Sequence, residues 1–131
     1  MRKAGLAALL ALLGGPAAAQ SPAGSWLVAD KTAVIRIAPC GEAFCGTIAW
    51  TSQPGTDENN PDPARRNQPI VGTQILLAMK PVRVDRWDGE IYNPENGKTY
   101  SGRIILLGPD TLRVEGCLLV FCGGENWTRA R

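Results

Sequence analysis

Two segments of the chain share one pattern: Cys, three residues, Phe, Cys, Gly. The first runs from Cys40 to Gly46 and the second from Cys117 to Gly123. A pattern used twice suggests one local device used twice. If each segment is a hairpin tip, its flanking cysteines sit opposite one another at bridging distance. Four cysteines allow three connectivities, and this geometry favours Cys40–Cys45 and Cys117–Cys122. Loops this short contribute ~2 kcal/mol per bridge by the loop-entropy account. The alternatives fit less well. A four-Cys zinc site wants closely spaced pairs. A redox pair wants two intervening residues, and here there are four.

Disulfides imply an oxidising compartment, and the start of the chain agrees. Arg2 and Lys3 form a positive segment, Ala4 to Leu13 is apolar, and Gly14-Gly15-Pro16 breaks any helix. Ala17-Ala18-Ala19 then supplies the small residues that a signal peptidase requires, so residues 1–19 read as a secretory signal cleaved after Ala19. The apolar run is short of the ~20 residues a membrane span needs. The expectation is a periplasmic or secreted protein with one domain over residues 20–131 and no membrane span. The chain carries 14 Lys+Arg against 12 Asp+Glu. Losing Arg2 and Lys3 balances the rest, which leaves no electrostatic footprint for nucleic acid.

Strand signals fill the remainder. Expected strands cover about Gly24–Ala29, Ala33–Ala38, Ala43–Thr51, Val84–Asn93, Lys98–Leu107, Thr111–Glu115 and Gly124–Arg129. Ile35 and Ile37 share one face, as do Ile48 and Trp50, and Leu112 and Val114. Gln74–Met79 is apolar throughout, and periodicity does not decide between strand and helix there. Asn93-Pro94-Glu95-Asn96-Gly97 and Gly108-Pro109-Asp110 are turns. About eight strands with short links favour an all-β, antiparallel up-and-down barrel, since closure removes both sheet edges. One connection is long. Ser52 to Thr73 holds Pro54, Pro61, Pro63 and Pro69, and loops of this length in compact domains are usually functional or disordered.

Gly24-Ser25-Trp26 near the start and Trp127-Thr128-Arg129 near the end look like the paired end motifs of the calycin superfamily, the lipocalin-like barrels. The implied roles are structural: Trp26 plugs one barrel end and Arg129 lies over its face, a cation–π contact, with Gly24 and Trp127 beside them. More specifically, the chain resembles the DUF2147 family of small exported bacterial proteins of unknown function. The matching stretches are Cys40 to Trp50, Asn60-Pro61-Asp62-Pro63 with Arg66, Pro69 and Gly72, Ile91-Tyr92-Asn93-Pro94 with Gly97-Lys98-Thr99-Tyr100, and Gly116 to Arg129. Asp88-Gly89-Glu90 departs from that family's usual Gly pair. The resemblance implies a calycin-like barrel and export, and no activity.

The chain has no histidine. That removes Ser-His-Asp and Cys-His nucleophilic sites and His-ligated metals. Neither a phosphate loop nor a dinucleotide fingerprint occurs. Asp57, Asp62, Asp85, Asp88 and Glu90 could supply a glycosidase pair only at a defined separation. Asp57, Asn59 and Asp62 lack ordered calcium-loop spacing. No enzyme activity, metal or cofactor is therefore expected. Trp50, Trp87, Tyr92 and Tyr100 lie on expected strands, where they either pack the core or line a cavity. With Asp62 and Arg66 (Arg65 beside it) at the mouth, they are the candidate contacts for a small apolar or amphipathic ligand. The competing expectation is an envelope interaction module whose partner docks on the apolar tip Leu118-Leu119-Val120-Phe121.

Overall fold

The computed structural model describes residues 21–131. The expected signal and its cleavage point lie outside the described residues. Eight strands follow one another: β1 (Gly24–Leu27), β2 (Ala33–Cys40), β3 (Ala43–Thr51), β4 (Gln74–Arg83), β5 (Arg86–Asn93), β6 (Lys98–Gly108), β7 (Thr111–Leu118) and β8 (Phe121–Arg129). Each pairs antiparallel with the next, and β1 pairs with β8 to close the barrel. Gln74–Met79 is strand, hydrogen-bonded on both sides. Among the described residues no helix is long and apolar enough to cross a membrane.

The up-and-down order puts the β1–β2, β3–β4, β5–β6 and β7–β8 connections at one end, the upper end. The other connections gather at the lower end, with Gly24 and Arg129. Alternation fills the lower half. Trp26, Ile35, Ile37, Leu76, Met79, Ile104 and Leu112 are fully buried. Phe44 meets Trp87 edge-to-face at 6.0 Å, the favoured aromatic geometry.

The lower end is plugged. The Trp26 indole N–H donates to the Pro22 carbonyl at 2.7 Å. The Arg129 guanidinium lies 4.3 Å from the Trp26 ring centre and donates to the carbonyls of Ala23 at 2.9 Å and Pro109 at 2.8 Å. Gly24 has φ 129°, and a Cβ there would stand 2.7 Å from Arg129 Nη1. The Gly-x-Trp pattern thus has a steric reason: the glycine leaves room for the arginine that caps the tryptophan.

Both expected disulfides are present, Cys40–Cys45 and Cys117–Cys122. The two hairpins are nonetheless not the same device. Cys40 pairs with Ala43 around Gly41-Glu42, so the Cys40–Cys45 bridge runs diagonally, with Cα atoms 5.8 Å apart. Cys117 faces Cys122 directly at 4.0 Å, and the turn is Leu119-Val120. Gly41, with φ 65°, draws the first turn toward its first cysteine. The second segment has no such glycine, and there Leu119 takes φ 58°. This longer ladder also makes β8 begin at Phe121 rather than near Gly124.

One face assignment differs from expectation. Val34 pairs with Trp50 and Ile35 with Ile48, so Ala49 is an extra residue on β3. Such a bulge reverses the alternation beyond it. Ile48 stays inside, and Trp50 turns out to solvent, 48% exposed.

Candidate functional site: the open end of the barrel

The upper half is not filled. Beside Tyr100, Val114 and Glu125, two of its inward positions carry glycine. Gly116 and Gly123 face one another across β7 and β8. A Cβ at Gly123 would meet nothing within 4 Å, and one at Gly116 would touch only the Tyr100 Cβ at 3.7 Å. Other glycines are different: a Cβ at Gly46, or at Gly102, which pairs with Gly116, would collide with Leu76 or Ile91 respectively. The space left open is a cavity of about 480 Å³, within the range of small-molecule sites. Its walls include Ile35, Ile48, Ile75, Ile91, Val114 and Trp127.

The cavity's polar groups come from strand alternation and from the upper turns. Val114 pairs with Glu125 and Leu112 with Trp127, so Glu125 and Trp127 share the inner face of β8. The Glu125 carboxylate accepts from the Trp127 indole N–H at 2.8 Å and from the Ala29 amide at 3.2 Å, both on Oε2. Tyr100 projects from β6, and its hydroxyl accepts from Asn96 Nδ2 at 2.9 Å. Asp30 and Glu95 stand on the rim. Hydrogen bonds from Thr32, its hydroxyl first, hold the Asp30 carboxyl below the usual carboxylate range.

A second concavity, about 780 Å³, lies between the long β3–β4 loop and the outer faces of β4, β5 and β6. The loop has a set shape. Asp57, only 3% exposed, accepts from the Tyr92 hydroxyl at 2.8 Å and from Asn60 Nδ2 at 2.7 Å. Its amide donates to the Gln68 carbonyl at 2.9 Å. Burial, then the bond to Asp57, pushes the Tyr92 hydroxyl up to about 12. Asn59 donates to the carbonyls of Pro94 and Glu95, at 3.3 and 3.0 Å, and ties the loop to the β5–β6 turn. Gly97, with φ 72°, permits that approach: a Cβ there would sit 1.9 Å from the Asn59 carbonyl oxygen. The groove is lined mostly by polar loop residues, whereas the interior cavity is walled by aliphatic side chains. A mostly apolar hollow with few polar groups is the stronger ligand site.

The six expected ligand contacts separate in space. Tyr100 lines the interior cavity, and Tyr92 lines both concavities with its hydroxyl turned to the loop. Asp62 lines the outer groove and caps a 3-10 turn, Pro63–Arg65, by accepting from the Ala64 amide at 3.0 Å. Arg66 is bound to the Asn60 carbonyl at 2.7 Å. Trp87 packs in the core, and Trp50 is on the outside. Asp57, Asn59 and Asp62 each turn to a different protein partner, which is no calcium loop. Sequence reasoning missed Glu125 and the Gly116/Gly123 pair. Alternation from Trp127 on one strand was the signal for Glu125.

A closed antiparallel eight-stranded barrel, plugged by an arginine-capped tryptophan at one end and open at the other, is a lipocalin-like fold. A family model described as an uncharacterized protein conserved in bacteria, DUF2147, matches residues 24–129. The chain belongs to that family. Among solved structures it is similar to protein HP1028 from Helicobacter pylori, described as belonging to the lipocalin family. The two share 19% identity with a TM-score of 0.77, over 86% of this chain and 84% of the other. That likeness concerns the fold. No curated protein matches the chain.

Proposed function

We propose that the protein is an exported, non-enzymatic binding module that holds one small apolar or amphipathic molecule inside the barrel. The observation that carries this reading is the unfilled upper half, where inward glycines leave about 480 Å³ between aliphatic walls. The positive-then-apolar start of the chain and the two disulfides support a periplasmic or secreted location. The carboxyls whose titration is displaced (Asp30, Asp88 and Glu115) are all held low rather than raised as a general acid would be.

Native mass spectrometry of protein released from a bacterial envelope tests the reading. The expected spectrum shows a chain beginning at Gln20 with one small-molecule adduct. Gly123→Leu, which grows a side chain into open space, should lose that adduct and remain folded. A wild-type chain that is always bare, or an adduct that survives in Gly123→Leu, counts against it.

The second reading is an envelope partner docking on the β7–β8 tip. It is favoured by one observation: Leu118, Leu119, Val120 and Phe121 are 67%, 91%, 86% and 78% exposed. Tip charge variants (Leu119→Asp, Val120→Asp) that leave an in-cell crosslinking pattern unchanged would remove it.

A further inference from the structure

We infer that the interior cavity selects molecules with a cationic head group, and that Glu125 is the residue that reads it. This inference rests on the interior being a ligand site.

The cavity's charge has one sign. Its ionisable carboxyls are Asp30, Glu95 and Glu125, and among the described residues no Lys or Arg lines it. Lysines and arginines occur elsewhere on the barrel, and their exclusion from the hollow leaves nothing to neutralise an anionic guest. Glu125 sits on the inner wall beside the aliphatic residues, while Asp30 and Glu95 belong to the rim turns. Both hydrogen bonds to Glu125 fall on Oε2. Oε1 takes none from the described residues, so this carboxylate is oriented from one side and open on the other. Glu125 is solvent-exposed where it lines the open cavity, and an ammonium supplies both a countercharge and N–H donors for its open oxygen. A fatty-acid carboxylate would instead bring like charges together. Tyr100 and Trp127 add aromatic wall area, which cations favour. The chemical class that fits is an amphipath with an amine head and an aliphatic tail.

The test uses three probes with one tail: n-octylammonium, n-octanoate and 1-octanol, titrated by calorimetry at neutral pH. The expected affinity order is octylammonium over octanol over octanoate, with at least ~10-fold between the ions. Glu125→Gln keeps an oxygen for the Trp127 indole N–H and should collapse that ratio to near one. Glu42→Gln, on the exposed lower hairpin, removes the same charge and should leave the ratio as it was. In wild-type protein the Trp127 indole N–H and Ala29 amide resonances should move with octylammonium and not with octanoate, which tests Glu125 without a variant. Octanoate binding as tightly as octylammonium, or a ratio that survives Glu125→Gln, overturns the inference. Octanol binding with no head-group preference overturns it too, while leaving the cavity as a ligand site. If none of the three binds, the ligand-site reading itself fails.

Discussion

Leu119 breaks two local rules at once. It is 91% exposed, and it holds φ 58° at the first position of a two-residue turn where glycine is the ordinary choice. Replacing it by glycine removes the steric cost of the left-handed backbone, about 1 kcal/mol. Leu119→Gly should therefore raise the unfolding midpoint in denaturant, and a lowered midpoint would show that the apolar tip stabilises the monomer. Tyr92 gives a second prediction. Its hydroxyl ionises at about 12 against an ordinary 10.0. The folded state thus favours the protonated phenol. That stabilisation is complete below pH 10 and is lost as pH rises toward 12. Tyr100→Phe leaves Tyr92 as the sole tyrosine, so its tyrosinate absorbance should appear only near pH 12. Absorbance rising at pH 10 with the fold intact would contradict the buried contact. Tyr92→Phe removes a donor from buried Asp57 and should cost about 1–3 kcal/mol.

At the level of strands, the outer face of β5, β6 and β7 carries Asp88, Arg103 and Glu115 in cross-strand register. Glu115 accepts from Arg103 and from Arg113 at 3.0 Å, and these bonds hold its carboxyl below the ordinary 4.5. Asp88 is lowered likewise, first by its bond to Arg86. Groups with depressed values add stability above their unfolded values, and that stability is lost as pH falls through the lower folded ones. Acid unfolding of Glu115→Gln should show a shallower loss below about pH 4.5 than wild type, with about 1 kcal/mol less stability at neutral pH. Equal slopes would mean the network contributes nothing. Legibility in the sequence is also decided at this level. Ile35/Ile37 and Leu112/Val114 alternate without interruption, and their inward faces follow directly. Trp50 does not, because the extra residue Ala49 is visible only in the pairing of β3 with β2. The cysteine pattern gave the bridges and missed the different registers, since one glycine, Gly41, moves the first turn. The long loop stood out in the sequence by its length and its four prolines. Its anchor, Asp57 on Tyr92, joins residues 35 positions apart and has no local signal.

For the whole molecule, the two ends of the barrel divide the work. Trp26 and Arg129 close the lower end, and their motif was readable because it sits on the first and last strands. Hollowness was not readable, because it depends on which glycines face inward and whether a neighbour fills their space. Gly102 is filled by Ile91, while Gly123 is not. If the unfilled half binds a small molecule, methyl NMR during titration with 1-octanol should give saturable shifts at Ile48, Ile75, Ile91 and Val114, all abolished in Gly123→Leu. Shifts confined to Val71 and Leu77 in the outer groove, or no saturable shift, would contradict it.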